Sequence, residues 1–130
     1  MERPLFLLDS IAVVEASMAG AVVVSGSHGG VSAARYVLGM KTRPHAVFFN
    51  DAGVGKDEAG IVGLALLEHV GVIAATYSHR SARIGDAADG YESGQISHLN
   101  PTAARAGLRV GQRVLDAVAR LRPLPPSEGS

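Results

Sequence analysis

The sequence contains three short apolar runs that are not interrupted by polar residues. They cover residues 21–24, 46–49 and 72–75, and they are rich in β-branched, aromatic or alanine side chains. Strands that are buried on both faces have this pattern, and such strands are mostly parallel with helices covering each side of the sheet. The three runs therefore predict an α/β fold with a mainly parallel sheet.

The segments between these runs have the periodicity of amphipathic helices. Residues 31–40 place their apolar side chains mostly on one face. Residues 57–70 begin with Asp57, which suits an N-cap, and are followed by Gly71, which suits the end of a helix. Strands that alternate with helices in this way are typical of βαβ units.

The two ends of the chain add further predicted elements. Residues 95–99 alternate in polarity like an edge strand, and Asn100-Pro101 is a typical start for the helix that follows. Residues 112–121 have helical spacing, whereas the runs 5–8 and 11–14 predict one or two additional strands.

Together these patterns predict a single three-layer α/β/α domain over residues 1–121. Its mainly parallel sheet is expected to have about five or six strands. The stretch 122–130 is rich in proline and polar residues and is predicted to be a flexible C-terminal tail.

Composition restricts the classes of function. A chain of 130 residues that is 47% hydrophobic can form one globular domain with its own core. The 12 basic and 12 acidic residues give no net charge, which argues against binding nucleic acid or an anionic membrane. Because cysteine is absent, the sequence excludes disulfides, thiolate nucleophiles and iron–sulfur clusters. We find neither a secretory signal nor an apolar stretch of membrane-spanning length, so we expect a cytoplasmic protein.

A polar, glycine-rich loop follows each of the three buried strands. Ligands of open α/β sheets bind outside the carboxyl ends of the strands, so we expect these three loops to form the functional site. The predicted catalytic residues are Ser27, His28, Asp51, His79 and Ser81, and the predicted ligand-binding residues are Ser25, Gly29, Gly30, Asn50, Gly55, Lys56, Arg83 and Asp86.

The first loop, residues 25–30, leads from a strand into a helix. Its glycines allow backbone amides to face a ligand, and the start of a helix favours an anion. Ser27 has glycine two residues later but Ser25 two residues earlier, so it meets only half of the G-x-S-x-G nucleophile pattern. The alternatives are a nucleophile, a ligand contact, or a tight turn.

The second loop contains Gly55-Lys56 and is not a phosphate-binding P-loop. Asn50 occupies the position of the first required glycine, and Asp57 stands where serine or threonine must follow the lysine. Lys56 is one of only two lysines and lies close to a predicted helix start, where it would favour an anionic ligand. The alternative is that Asp51 caps a turn and Lys56 forms a surface ion pair.

The third loop, residues 76–86, combines hydroxyl, imidazole, guanidinium and carboxylate groups. Arginine donates two parallel hydrogen bonds to a carboxylate or phosphate, so Arg83 is predicted to hold an anion. Residues 81–88 also fit a short helix with Ser81 as its N-cap. The alternative for Arg83 and Asp86 is an ordinary surface ion pair.

No cofactor and no metal site are predicted. The five histidines include no pair with the spacing of a metal motif, and cysteine ligands are absent. The alternative is that His28, His79 and His98 meet at the sheet edge together with Asp51 or Asp86 and bind a metal there.

One segment has a local likeness to a known family. Residues 94–115 contain a predicted strand, then Ala-Gly-Leu at 106–108, then Gly-Gln-Arg-Val-Leu at 111–115. In this order they resemble the middle of a PDZ domain, over less than a fifth of the chain. Gln112 departs from the aspartate of the family, and the sequence has no carboxylate-binding loop of the PDZ type. We therefore interpret the likeness as local convergence.

Three hypotheses about function follow. The first is a small cytosolic enzyme, hydrolase-like, that acts on a small anionic or amide-bearing metabolite at the carboxyl edge of the sheet. The second is a non-catalytic ligand-sensing or subunit-assembly domain that uses the same edge. The third is a purely structural oligomer in which these loops are buried in subunit contacts. The segment 57–70 is apolar nearly all round and indicates a homo-oligomer.

Overall fold

The computed structural model of the chain describes residues 1–125. Its sheet has five strands whose spatial order is their order along the chain, the first four parallel and the fifth antiparallel to the fourth. The α/β class and the mostly parallel sheet are thus confirmed. The strands are β1 (Leu5–Leu8), β2 (Val22–His28), β3 (Ala46–Asn50), β4 (Ile73–Tyr77) and β5 (Ile96–Leu99). The α-helices of the described residues are α1 (Val31–Leu38), α2 (Gly63–Glu68), α3 (Ala87–Ser93), α4 (Pro101–Arg105) and α5 (Val114–Leu121).

The apolar runs of the sequence form the centre of the sheet. Every residue of β3 is buried, and alternate residues of the strand join two separate apolar clusters. Val47 and Phe49 pack with side chains of α1 and α2, whereas Ala46 and Phe48 pack with side chains of α4 and α5. Burial on both faces explains why these strands are apolar throughout.

Strand β5 is an edge strand, as its alternating pattern predicts. It pairs with β4 in the register Thr76–His98, with an irregularity between Thr76 and Tyr77. The antiparallel direction carries the start of β5 to the carboxyl end of β4. Residues of β5 are therefore brought to the edge at which the loops after β2, β3 and β4 emerge.

The predicted strand over residues 11–14 is wrong, so the described chain has five strands. Ile11–Val13 form a short 3₁₀ helix whose N-cap is Ser10. The Ser10 hydroxyl accepts the amide hydrogen of Ala12 at 3.2 Å, and the Ser27 hydroxyl accepts that of Ile11 at 3.0 Å. These side-chain acceptors take the amides that a strand would use for pairing.

The helix predicted over residues 57–70 begins later, at Gly63. The backbone of Gly60 lies against the carbonyl of Asp51, where a side chain would collide, and the Gly63 amide donates to the Gly29 carbonyl at 2.8 Å. Contacts between backbones thus replace the first turns of the helix. Asp57, the predicted N-cap, has a left-handed conformation with φ of 56°.

Helix α3 also begins later than the pattern indicates. Asp86, rather than Ser81, is its N-cap, and its carboxylate accepts the amide hydrogen of Asp89 at 3.0 Å. The PDZ-like segment does not continue as a strand, because Val114 begins α5.

The segment after α5 runs beside the start of the chain. The Arg3 amide donates to the Arg122 carbonyl at 2.6 Å, and the Leu124 amide donates to the Met1 carbonyl at 3.1 Å. Residues 126–130 of the predicted tail lie outside the described residues. The division of the chain at residue 121 stays a prediction.

Across residues 1–125, no helix combines the length and the apolar character that crossing a membrane requires.

Asn100 joins α4 to β4 and to the segment before β4 through one buried side chain. Its Oδ1 accepts the amides of Ala103 in α4 (2.9 Å) and Ala74 in β4 (3.2 Å), and its Nδ2 donates to the carbonyl of Val72 (2.9 Å). Asn100→Ala removes a helix cap and leaves buried backbone groups without partners. We expect the free energy of unfolding in urea to fall by about 2–4 kcal/mol.

The matched control is Thr102→Ala, in the first turn of the same helix, where the hydroxyl donates to Glu68 in a more exposed position. We expect this variant to lose less than about 1 kcal/mol. Equal losses in the two variants would contradict the role assigned to Asn100.

Candidate functional site

Three elements bring polar side chains together at the carboxyl edge of the sheet. Asp51 directly follows β3, His79 lies two residues beyond β4, and Ser97 is the second residue of β5. The first two were expected at this edge from the sequence. Ser97 was not.

The carboxylate of Asp51 is the centre of this group. Its side chain is only 6% exposed, and Oδ1 accepts hydrogen bonds from the Gly53 amide (2.8 Å) and the His79 amide (3.0 Å). The His79 ring nitrogen Nδ1 lies 3.2 Å from the same oxygen. Burial raises the pKa of Asp51, but the hydrogen bonds from Gly53, the Ser97 hydroxyl and His79 outweigh it and hold the pKa below its ordinary value.

The Asp51 carboxylate fixes the tautomer of His79. An ionised carboxylate only accepts hydrogen bonds, so the proton of the neutral ring belongs on Nδ1, and Nε2 keeps its lone pair. The His79 side chain is 46% exposed. The ring lies over Gly53, where an added Cβ would be 3.5 Å from the ring carbon Cε1. A buried carboxylate thus orients an imidazole ring that is about half exposed.

A second polar group lies beside this pair. The Ser97 hydroxyl is 3.0 Å from the Thr76 hydroxyl, and Nδ1 of His98 is 3.1 Å from the Ser97 oxygen and 3.3 Å from the Thr76 oxygen. Ser97 also contacts Asp51 and lowers its pKa. Sequence reasoning missed Ser97 and Thr76, and considered His98 only as a metal ligand.

The loop after β3 has an unusual backbone. Ala52, Val54, Asp57 and Glu58 all have positive φ, between 51° and 67°, although none is glycine. Each such residue costs about 1–3 kcal/mol, and the conformation persists only where the surrounding structure holds it in place. Strained backbone of this kind is concentrated at functional sites, and this loop carries Lys56 at its exposed surface.

The predicted residues of the first loop take part mainly in internal contacts. The Ser25 hydroxyl accepts the Ser27 amide at 2.9 Å, and the Ser27 hydroxyl accepts the Ile11 amide. The Gly29 amide donates to the Asn50 carbonyl at 3.1 Å, and the backbone of Gly30 packs on the Ala59 carbonyl. His28, in contrast, is exposed at the end of β2.

Several predicted residues of the other loops also stabilise the edge. The Asn50 side chain is buried, donates to the Ala82 carbonyl at 3.1 Å and accepts the Ala52 amide at 2.8 Å. The Ser81 hydroxyl donates to the Ser78 carbonyl at 2.7 Å and accepts the Gln95 amide at 2.9 Å.

The remaining predicted ligand contacts are Gly55, Lys56, Arg83 and Asp86. Gly55, Lys56 and Arg83 are exposed, and the Arg83 amide donates to Asp89 at 2.8 Å. The Asp86 carboxylate is occupied as the cap of α3.

Comparison of the chain with protein-family models, with curated proteins and with solved structures finds no match. The site is therefore interpreted from its own geometry. Among residues 1–125, no group of three or more histidine, aspartate or glutamate side chains is arranged to hold a metal ion.

The lowered pKa of Asp51 makes stability depend on pH in acid. A carboxyl whose pKa is lower in the folded protein contributes stability that is complete above its unfolded value, near 3.8, and is lost as the pH falls through the folded value. We expect the free energy of unfolding to fall between pH 5 and pH 2, as measured by urea denaturation. In Asp51→Asn the free energy of unfolding should fall less over the same pH range. An equal fall would contradict a lowered pKa of Asp51 as the cause.

The tautomer of His79 can be observed directly. We expect ¹⁵N chemical shifts of the His79 ring above pH 8 to report a proton on Nδ1 and a lone pair on Nε2. Asp51→Asn should reduce this preference. His69, exposed at the end of α2, serves as the control and should show the same tautomers in both proteins. A proton on Nε2 of His79 in the wild type would contradict the hydrogen bond to Asp51.

Proposed function

We propose that the protein is a small hydrolase-like enzyme in which Asp51 and His79 form a general-base pair. The observation that carries the proposal is the hydrogen bond between the buried Asp51 carboxylate and Nδ1 of the half-exposed His79 ring. A carboxylate in this place orients the ring and stabilises the imidazolium ion that forms when Nε2 takes a proton.

The nucleophile in this proposal is a water molecule. The hydroxyls of Ser27 and Ser81, which the sequence suggested as nucleophiles, already accept backbone amides. Nε2 of His79 removes a proton from water while the water oxygen bonds to the carbonyl carbon of an ester or amide. The bond from that carbon to the leaving oxygen or nitrogen then breaks, and the imidazolium returns the proton to the leaving group.

The substrate class is a small anionic or amide-bearing metabolite. Lys56 and Arg83 are exposed in the loops after β3 and β4, so both cations are available to a ligand at this edge. A carboxylate or phosphate on the substrate would pair with them. The proposal requires no cofactor and no metal.

A non-catalytic ligand-binding domain is the alternative. It is favoured by the two backbone amides that donate to Asp51, one from Gly53 in the loop after β3 and one from His79 in the loop after β4. These bonds hold the two loops together whether or not the protein is a catalyst. In that case the pair would position the loops around a ligand, and no hydrolysis would occur.

The remaining parts of the proposal are a three-layer α/β/α arrangement, a cytoplasmic location and a homo-oligomer. The separate apolar clusters on either side of β3 support the layered arrangement. Exposed apolar side chains, among them Val13, Tyr36 and Ile84, would be available for association between copies of the chain.

Hydrolysis of 4-nitrophenyl acetate by the purified protein tests the general-base pair. We expect hydrolysis above the buffer rate, and we expect His79→Ala to reduce kcat/KM by about 10²-fold or more, since positioned general bases contribute roughly 10²–10⁴-fold. Asp51→Asn should reduce kcat/KM as well, because the ring loses its orientation and its charge partner.

His69→Ala is the matched control, since it removes an exposed imidazole outside the site and should leave kcat/KM unchanged. A rate equal to that of buffer would refute the catalytic proposal and leave the binding alternative. A wild-type rate in His79→Ala would show that another group supplies the base.

A further inference from the structure

A groove on the surface includes Ser97 and His98 of the candidate site in its lining. Its volume is about 440 Å³, which lies within the range of small-molecule sites. Helix α2 and the turn before it form one wall, and β5 with the start of α4 forms the other. Its apolar lining includes Ile61, Val62, Leu64, Ala65, Leu99 and Val110.

Ser97 belongs to both the groove and the candidate site. Its hydroxyl is 3.0 Å from that of Thr76, and the residue also lines the groove together with His98. This group adjoins Asp51, whose amide donates to the carbonyl of Tyr77, the residue after Thr76, at 2.9 Å. A molecule that occupied the groove would carry its reactive group towards Ser97.

The chemistry of the walls selects the kind of group that fits. Apolar side chains bind an aliphatic or aryl group by removing its surface from water. Glu58 is the charged residue of the lining and repels an anion. An anionic part of the substrate would therefore lie outside the groove, towards the exposed Lys56 and Arg83.

We infer that this groove binds an apolar acyl or aryl group of the substrate, with the carbonyl at the Ser97 end. This inference rests on the proposed function, because it places the scissile bond near His79. It narrows the substrate class to molecules that join an apolar group to an ester or amide. The turn from Ala59 to Val62 follows the strained residues Asp57 and Glu58, and its last two residues, Ile61 and Val62, line the groove.

Binding of neutral primary amides tests the groove without depending on catalysis. Acetamide, butanamide and hexanamide are titrated into the His79→Ala protein, and ¹⁵N–¹H spectra give the affinity and the residues affected. We expect binding about fourfold tighter for each added methylene. The largest shifts should fall on residues 61–65 and 97–99.

Two variants test whether the groove is the site. Ala65→Phe fills it, and Val110→Asp adds a charge at a residue that is 65% exposed and so tolerates the change without loss of folding. Both should reduce hexanamide binding by tenfold or more. Ala119→Phe, at an exposed position of α5 outside the groove, is the matched control and should bind as before.

The outcomes separate this inference from the proposed function. The groove assignment would be overturned if the amides bound with the same affinity whatever the length of their alkyl group, or if hexanamide bound Val110→Asp as tightly as before. Either result would count against the groove even if 4-nitrophenyl acetate is hydrolysed. Length-dependent binding that both variants abolish would support the groove even if no hydrolysis is found, and the catalytic proposal alone would then fail.

Discussion

The burial of β3 on both faces determines where polar chemistry can occur in this domain. A strand without an exposed face has no place for polar side chains except at its ends. Asn50 and Asp51 occupy the carboxyl end, and both remain almost fully buried by making hydrogen bonds to neighbouring loops. The same constraint applies to β4, whose buried residues are followed by the loop that carries His79.

Asp51 combines two roles that are often separate. Its carboxylate joins the loops after β3 and β4 through backbone amides, and it orients the ring of His79. The structural bonds keep the group ionised, because they outweigh the effect of burial on its pKa. In the proposed general-base pair an ionised carboxylate orients the imidazole and stabilises the imidazolium ion, so the interactions that stabilise the edge would also favour the proposed chemistry.

Much of the fold follows from the sequence, and the differences have identifiable causes. The buried strands, the edge strand β5 and the Asn100 cap are local patterns, and they were predicted correctly. The late start of α2 depends on contact between Gly60 and Asp51, and the 3₁₀ helix at residues 11–13 depends on the hydroxyl of Ser27. Contacts between residues distant in the chain are not visible in local periodicity. Asp51 and His79 were predicted because each follows a buried strand, whereas Ser97 lies at the edge only because β5 runs antiparallel.

The strained loop after β3 has a thermodynamic consequence for any ligand of this edge. Val54 is β-branched and adopts φ of 67°, a conformation that glycine would accept at little cost. The loop thus holds conformational energy that its contacts with Asp51 and Gly60 keep from relaxing. A ligand that binds the loop in its observed conformation pays no further cost to order it, whereas a ligand that requires another conformation must first break these contacts and binds more weakly. Replacing Val54 with glycine would relieve the strain at this φ but would also make other loop conformations more accessible, so part of this preorganisation would be lost.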